Sequence, residues 1–239
     1  MMTDAILVTG VARRVGLHLA RNFLDRGIPV IGTYRSERPA LEELSAKGAV
    51  LLRSDFYEEA QVAELARSVT AQCGSLRAIV HNASDWIPEN GEIPAATILH
   101  RMMQVHVAAP YLLNLALEPL LQVCSHGHAD IIHVGDYVSS RGSQKHIAYA
   151  ASKAAQDNLT LSFSARLAPK VKVNSIAPAL VIFNDGDDDE YREKARAKSL
   201  MQRKGGLEEF QRTVDYLLDS VYVTGRILHM DGGRHLKVA

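Results

Sequence analysis

Tyr149 and Lys153 stand four residues apart in the run Tyr149-Ala150-Ala151-Ser152-Lys153. On a helix that spacing puts a phenol and an ammonium on one face. A nearby ammonium favours phenolate and lowers a tyrosine pKa, which makes the phenol a useful proton donor near neutral pH. Thirteen residues before Tyr149, Asp136 follows the apolar run Asp130–Gly135. A carboxylate there would repel the oxyanion that grows as a ketone is reduced, and would stabilise the positive charge of a protonated C=N. It could also bond an amino–amide edge, or relay a proton if a dry pocket raised its pKa. The competing role is local: Asp136 caps a turn, and Ser139 or Ser140 supplies the working hydroxyl.

A second constellation lies at the start of the chain. Thr9-Gly10-Val11-Ala12-Arg13-Arg14-Val15-Gly16 joins the apolar run Ala5–Val8 to a helical pattern from about Arg14 to Arg26. Glycines there permit a tight turn and bring backbone N–H groups at a helix start close to a pyrophosphate. Arg14 could reach that pyrophosphate or an electron-rich ring lying on the cofactor, or simply occupy the surface of the first helical turn. The second apolar run, Pro29–Tyr34, leads into Arg35 and Ser36, where a carboxylate would mark a ribose 2′-hydroxyl. Arg35 and Ser36, helped by Arg13, suit a 2′-phosphate instead, so the expected cofactor is NADP(H).

These groups need a scaffold, and the pattern supplies one. Further strand-like runs fall at Val50–Arg53, Arg77–His81, Asp130–Gly135, Val171–Ile176 and Ile227–Met230. Between them lie helical patterns, one with Val62, Leu65, Ala66 and Val69 on a single face, and longer ones over about Ala95–Gln122 and Ala148–Leu167. Alternating strands and helices predict an α/β fold, a Rossmann-type doubly wound parallel sheet of about seven strands with helices on both faces. No linker or composition shift divides the 239 residues, so one domain over 1–239 is expected. The acidic stretch from Asn184 to Lys204 reads either as a solvated loop with a short helix or as a substrate flap around 180–205.

Composition narrows the partners. Lys plus Arg equals Asp plus Glu at 27 each, so the net charge is zero and no basic footprint for nucleic acid stands out. No apolar run approaches the roughly 20 residues of a spanning helix, and the N-terminus lacks the pattern of a secretory leader, so a cytoplasmic location is expected. Two cysteines cannot build a disulfide framework. Cys124, His126 and His128 have no matching second pair, and no metal is expected.

Taken with Asn82-Ala83 after the fourth run and Asp231-Gly232-Gly233 near the end, the glycine turn and the Tyr149–Lys153 pair resemble the short-chain dehydrogenase/reductases along essentially the whole chain. Arg14 inside the turn, Tyr34-Arg35-Ser36, Asn82-Ala83-Ser84-Asp85-Trp86 and Asp136 resemble the pteridine reductases within that superfamily, including bacterial enzymes acting on dihydromonapterin with a side activity on dihydrofolate. The resemblance implies NADPH-dependent hydride transfer to a dihydropterin ring C=N, with catalytic Asp136, Tyr149 and Lys153. It implies cofactor contacts at Gly10, Arg13, Arg14, Val15, Gly16, Tyr34, Arg35, Ser36, Asp55, Asn82, Ala83, Tyr149, Lys153 and Pro178. It implies substrate contacts at Arg14, Ser84, Trp86, Asp136 and Tyr149, with the lone tryptophan stacked on a pterin or folate against the nicotinamide. A homotetramer built through the two long helices is also implied.

Two positions depart from the superfamily pattern. His106 stands where an Asn usually holds a water against the lysine; it would hold that water, titrate near pH 6.5, or merely pack. Ala179 replaces the glycine that usually follows Pro178. The competing functions are a carbonyl reductase on the same scaffold and a silent nucleotide sensor, which the intact Tyr149–Lys153 pair opposes.

Overall fold

The computed structural model describes residues 1–237. Seven strands, β1 (Ala5–Val8), β2 (Val30–Tyr34), β3 (Val50–Arg53), β4 (Leu76–His81), β5 (Ala129–Val134), β6 (Val171–Pro178) and β7 (Ile227–Met230), form one parallel sheet in the order β3-β2-β1-β4-β5-β6-β7. The helices are α1 (Arg14–Asp25), α2 (Ala40–Ala46), α3 (Glu59–Gln72), α4 (Ala95–Met103), α5 (Ala109–Gln122), α6 (Ile147–Leu167), α7 (Asp189–Ala197) and α8 (Leu207–Asp219).

The pleat sorts the core into two layers. Leu7, Ile79 and Ile131 face α3, α5 and α6, where Leu65, Val69, Leu113, Leu117 and Phe163 are buried. Ile6, Val8, Val80 and Ile132 face the other way, onto Leu19 and Phe23 of α1 and Phe210, Val214 and Leu217 of α8. Both faces are covered, so the strands read as continuous apolar runs.

Two elements differ from the sequence expectation. No element is expected at α8, although Phe210, Val214, Leu217 and Leu218 carry a helical apolar stripe. The helix expected over 95–122 is interrupted by a π-helical turn at Gln104–Ala108. Pro110, in the first turn of α5, has no N–H to give the His106 carbonyl, so the regular ladder fails there and the chain takes a wider turn.

The surprise inside the sheet is a buried charge cluster. Asp130 is fully buried on β5 and pairs with Arg77 of β4 and with Lys172 of β6, whose Nζ lies 2.8 Å from Oδ1. Lys172 also donates to the Leu217 carbonyl at 2.6 Å, and Arg77 to that of Leu218. Two cations thus tie the C-terminal end of α8, with its free carbonyls, to three neighbouring strands.

After β6 the chain leaves the sheet and comes back to itself. Gly205 N–H donates to the Leu180 carbonyl at 2.8 Å, and Gly206 N–H to that of Val181 at 3.0 Å. Residues 182–204, including α7, form an excursion closed at a hydrogen-bonded neck.

Candidate active site

The strand order reverses between β1 and β4, and loops leaving their carboxyl ends diverge there, opening the crevice in which such sheets take ligands. A cavity of about 1200 Å³ occupies this place. Gly10, Arg13, Arg14, Val15, Tyr34, Arg35, Ser36, Asp55, Asn82, Ala83, Ser84, Trp86, Asp136, Tyr149, Lys153 and Pro178 all line it. Gly16 lies behind the wall.

The turn after β1 is built for close backbone approach. Gly10 adopts φ +76°, and a Cβ on Gly16 would sit 2.2 Å from the Gly10 carbonyl oxygen. Asn82 staples this turn to the end of β4: its Nδ2 donates to the carbonyls of Thr9 at 2.9 Å and Gly10 at 3.1 Å. The Thr9 hydroxyl accepts the N–H groups of Asn82 and Ala83, both at 2.9 Å. A diphosphate at the start of α1 therefore fits, with Arg13, Arg35 and Arg38 on the cavity wall for a further phosphate. Arg38 carries no motif or spacing signal of its own in the sequence.

Arg14 takes a left-handed φ of +54° and reaches across the chain to Asn184 and the Ile182 carbonyl. It links the glycine turn to the excursion after β6, a pairing 170 residues apart. Arg35 also has a protein partner: its Nη1 lies 2.9 Å from Asp85 Oδ2, which further accepts from the Tyr57 phenol at 2.6 Å. A 2′-phosphate must compete with Asp85 for this guanidinium.

At the other end of the cavity, Asp136 sits just after β5 and joins both roles that the sequence left open. Its Oδ1 caps the following turn, accepting from Val138 N–H at 2.9 Å. Its Oδ2 accepts from the Tyr149 phenol at 2.9 Å. Burial raises the Asp136 pKa, against the lowering effects of its hydrogen bonds and of Lys153 and Arg234. Ser139 and Ser140 lie outside the cavity lining, and Ser140 is bonded to the Tyr137 carbonyl.

The expected lowering of the Tyr149 pKa is not what the geometry gives. Burial, then the Asp136 charge and hydrogen bond, push Tyr149 well above the ordinary tyrosine range. Lys153 Nζ is 5.8 Å from the ring centroid and donates to the Val134 carbonyl at 2.7 Å and to Gln156 at 3.2 Å. Burial pushes Lys153 itself down to about 8. Tyr149 is thus a retained proton, shared toward a carboxylate.

His106, on the π-helical turn, touches neither Lys153 nor open water. Its Nδ1 lies 2.8 Å from Ser152 Oγ and its Nε2 lies 2.8 Å from Ser84 Oγ. Burial holds its pKa well below the usual histidine value, which removes the expected titration near pH 6.5. Trp86 is 57% exposed at the cavity mouth, its ring 4.0 Å from that of His146. Arg234 covers the Tyr137 ring at 4.1 Å. Neither His146 nor Arg234 carried a signal beyond its place near a motif.

The histidines and cysteines assemble differently from their spacing. Asp4, Cys124 and His126, without His128, bring ligand-type atoms within 4.8 Å of one another. They sit at the amino ends of the strands, far from the cavity, and Ser75 and Ser125 already hold the Asp4 carboxylate. Among the described residues, no helix is long and apolar enough to cross a membrane.

Residues 10–235 match the family model described as enoyl-(acyl carrier protein) reductase. The chain is 53% identical over 232 residues to the dihydromonapterin reductase of Klebsiella pneumoniae, covering 97% of each. It is 54% identical over 233 residues to that of Enterobacter sp., covering 97% of this chain and 96% of the relative. Among solved structures, FolM alternative dihydrofolate reductase 1 from Brucella canis complexed with NADP superimposes with a TM-score of 0.87 at 25% identity, over 100% of this chain and 97% of that one. The Pseudomonas aeruginosa RhlG/NADP active-site complex gives 0.87 at 26% identity, over 98% and 97%.

Proposed function

The chain belongs to the short-chain dehydrogenase/reductases, in the family of the dihydromonapterin reductases, and from that membership we propose that it uses NADPH to reduce a 7,8-dihydropterin at a ring C=N bond. The observation that carries this reading is the Asp136–Tyr149 pair. A carboxylate bonded to the phenol opposes oxyanion chemistry and favours a substrate whose reacting group becomes cationic.

NADPH, when bound, supplies the hydride. The Tyr149 Oη–Asp136 Oδ2 pair holds the proton that passes to the ring nitrogen, and the half-buried carboxylate stabilises positive charge beside it. Lys153 keeps its charge below about pH 8 and faces the place of the nicotinamide ribose, as in the family. Gly10, Val15 and Gly16 with Arg13 and Arg14 would hold the diphosphate, and Tyr34, Arg35, Ser36, Asp55, Asn82, Ala83 and Pro178 the rest of the cofactor. Arg14, Ser84 and Trp86 would frame the pterin.

The finer assignment favours dihydromonapterin over dihydrobiopterin and dihydrofolate, on the names of the relatives. Residues 180–205 act as the flap that reads the C6 side chain, supported by Asn184, Asp187, Tyr191 and Lys198 on the cavity wall. One domain, a cytoplasmic enzyme and a homotetramer complete the proposal. Exposed Leu99, Tyr111 and Leu161 on the long helices support assembly through those surfaces.

The test is a spectrophotometric screen of NADPH and NADH against reduced pterins and simple ketones. The expected result is NADPH oxidation with a dihydropterin; turnover of ketones alone would replace this reading with a carbonyl reductase. Arg35→Asp should lower the NADPH-over-NADH ratio of kcat/KM by about tenfold or more, the scale of a lost charge-assisted bond. An unchanged ratio would remove Arg35 from the phosphate site.

Trp86→Ala should weaken pterin binding by about tenfold and NADPH binding far less, because stacking and burial of one flat ring are lost. Quenching of this single tryptophan by pterin reports binding to the parent enzyme, and a competition assay reports it for the variant. Equal pterin affinity in both would leave Trp86 a partner of His146 only.

A further inference from the structure

His106 lies in a chain of hydrogen bonds whose direction can be read. Ser152 Oγ donates to the Tyr149 carbonyl at 2.7 Å, within α6. Its one proton is spent there, so at 2.8 Å from His106 Nδ1 it can only accept, and Nδ1 carries the hydrogen. A second observation fixes the other ring nitrogen independently. The backbone N–H of Asp85 points at His106 Nε2 from 3.4 Å, which an N–H at that atom would oppose. Neutral His106 therefore has Nδ1–H and a bare Nε2, consistent with the full burial of its ring.

The consequence falls on Ser84. Its Oγ is 2.8 Å from Nε2 and 3.4 Å from the Asp85 carbonyl, and the far shorter contact takes the serine proton, which goes to the imidazole. Ser84 is itself exposed to the cavity between Trp86 and Tyr149, and what it shows there is lone pairs. A free serine hydroxyl rotates to donate or accept as a ligand requires; this one is committed.

We propose that His106 is a positioning residue that fixes Ser84 as a hydrogen-bond acceptor, so that the site selects a substrate edge bearing N–H or NH₂ over one bearing a carbonyl. The proposal rests on the reading of the cavity as a pterin site, since a dihydropterin offers such an edge and a simple ketone does not. A carbonyl placed against Ser84 would meet an oxygen with no proton to give, leaving both acceptors unsatisfied as water is excluded.

The polarity is measurable without substrate. Nitrogen-15 NMR of the His106 ring should show a protonated Nδ1 and an unprotonated Nε2 from about pH 6 to pH 8, where the ring stays neutral. The reverse tautomer, or an imidazolium, would overturn the proposal. With a dihydropterin, Ser84→Ala and His106→Phe should each raise KM about tenfold while kcat falls less than about threefold. The double variant should be no worse than Ser84→Ala, because His106 acts only through that hydroxyl. Additive losses would instead make His106 a packing residue.

His106→Gln, whose amide oxygen can take the place of Nε2, should restore KM to within about threefold of the parent enzyme. It also keeps the experiment decisive if the Phe variant folds poorly; failure of the Gln variant to rescue while it melts like the parent would count against the proposal. If no pterin is turned over yet the tautomer is as stated, the pterin reading fails and the polarity stands.

Discussion

Replacing Asp136 by Ser is expected to cut dihydropterin reduction by about 10²-fold or more, the usual scale for losing a positioned proton-transfer group. The substitution removes the carboxylate that stabilises a protonated C=N and the acceptor of the Tyr149 proton. Any trace ketone reduction should hold or rise, because an oxyanion loses its repulsive neighbour. The turn after β5 should survive, since a serine oxygen can still accept from Val138 N–H. Asp136→Asn separates chemistry from shape: it keeps the cap and the size but not the charge, and should lose pterin activity almost as fully. The measurement is kcat/KM for one dihydropterin and one ketone on all three proteins. Parallel loss of both activities in the Ser variant, with no harm in the Asn variant, would reduce Asp136 to a turn residue.

The second large effect is on stability in acid. His81, His106 and His133 are buried and neutral, and His81 and His133 stack at 5.1 Å across β4 and β5. Asn114 Oδ1 lies 2.7 Å from His81 Nε2, and Thr160 holds His133 Nδ1 at 2.8 Å. Burial pushes His81 down to about 4, and the other two well below the usual value. Below about pH 6.5 the unfolded chain therefore binds protons that the native state refuses. Native stability is complete above that pH and falls as pH drops, by about 1.4 kcal/mol per pH unit for each histidine.

For His81 that is about 2–3 kcal/mol between pH 6.5 and 4.5, and His106 and His133 add losses of the same sign, against an ordinary stability of about 5–15 kcal/mol. Asp130 and Asp136, whose pKa values are raised by burial, act in the opposite direction. Urea unfolding followed by circular dichroism at pH 7.5 and pH 5 should show a midpoint that drops sharply. Equal midpoints would mean that these rings accept protons in the native state.

The scaffold was legible because parallel strands buried on both faces must be apolar throughout, and because turns after β1 and β4 need Gly10 and Asn82. Tyr149 and Lys153 were legible as a pair, since helical spacing alone sets their shared face. Their electrostatics were not: burial and a carboxylate from β5 outweigh the ammonium at Tyr149, and both are tertiary facts. The π-helical turn escaped for a related reason. Periodicity over 95–122 reports one apolar face, and the consequence of Pro110 for a carbonyl four residues earlier changes no residue type. Arg14 with Asn184, Arg35 with Asp85, and Asp130 with Arg77 and Lys172 join residues 42 to 170 positions apart, where a local pattern carries no information.

The neck at Leu180–Gly205 and Val181–Gly206 also bears on how such an enzyme diversifies. Residues 182–204 leave and re-enter the protein at almost one point, and their ties beyond that neck include Arg14 to Asn184 and Ile182, and Met201 N–H to the Gly232 carbonyl. Doubling the length of a loop closed in this way adds only about 0.6 kcal/mol of closure entropy. A lineage that keeps those ties can lengthen, shorten or replace the rest of that block in one genetic event, and inherit Asp136, Tyr149 and Lys153 unaltered. Descent with a changed appetite for side chains then requires no compromise in the chemistry, since the two are written in separate stretches of the gene.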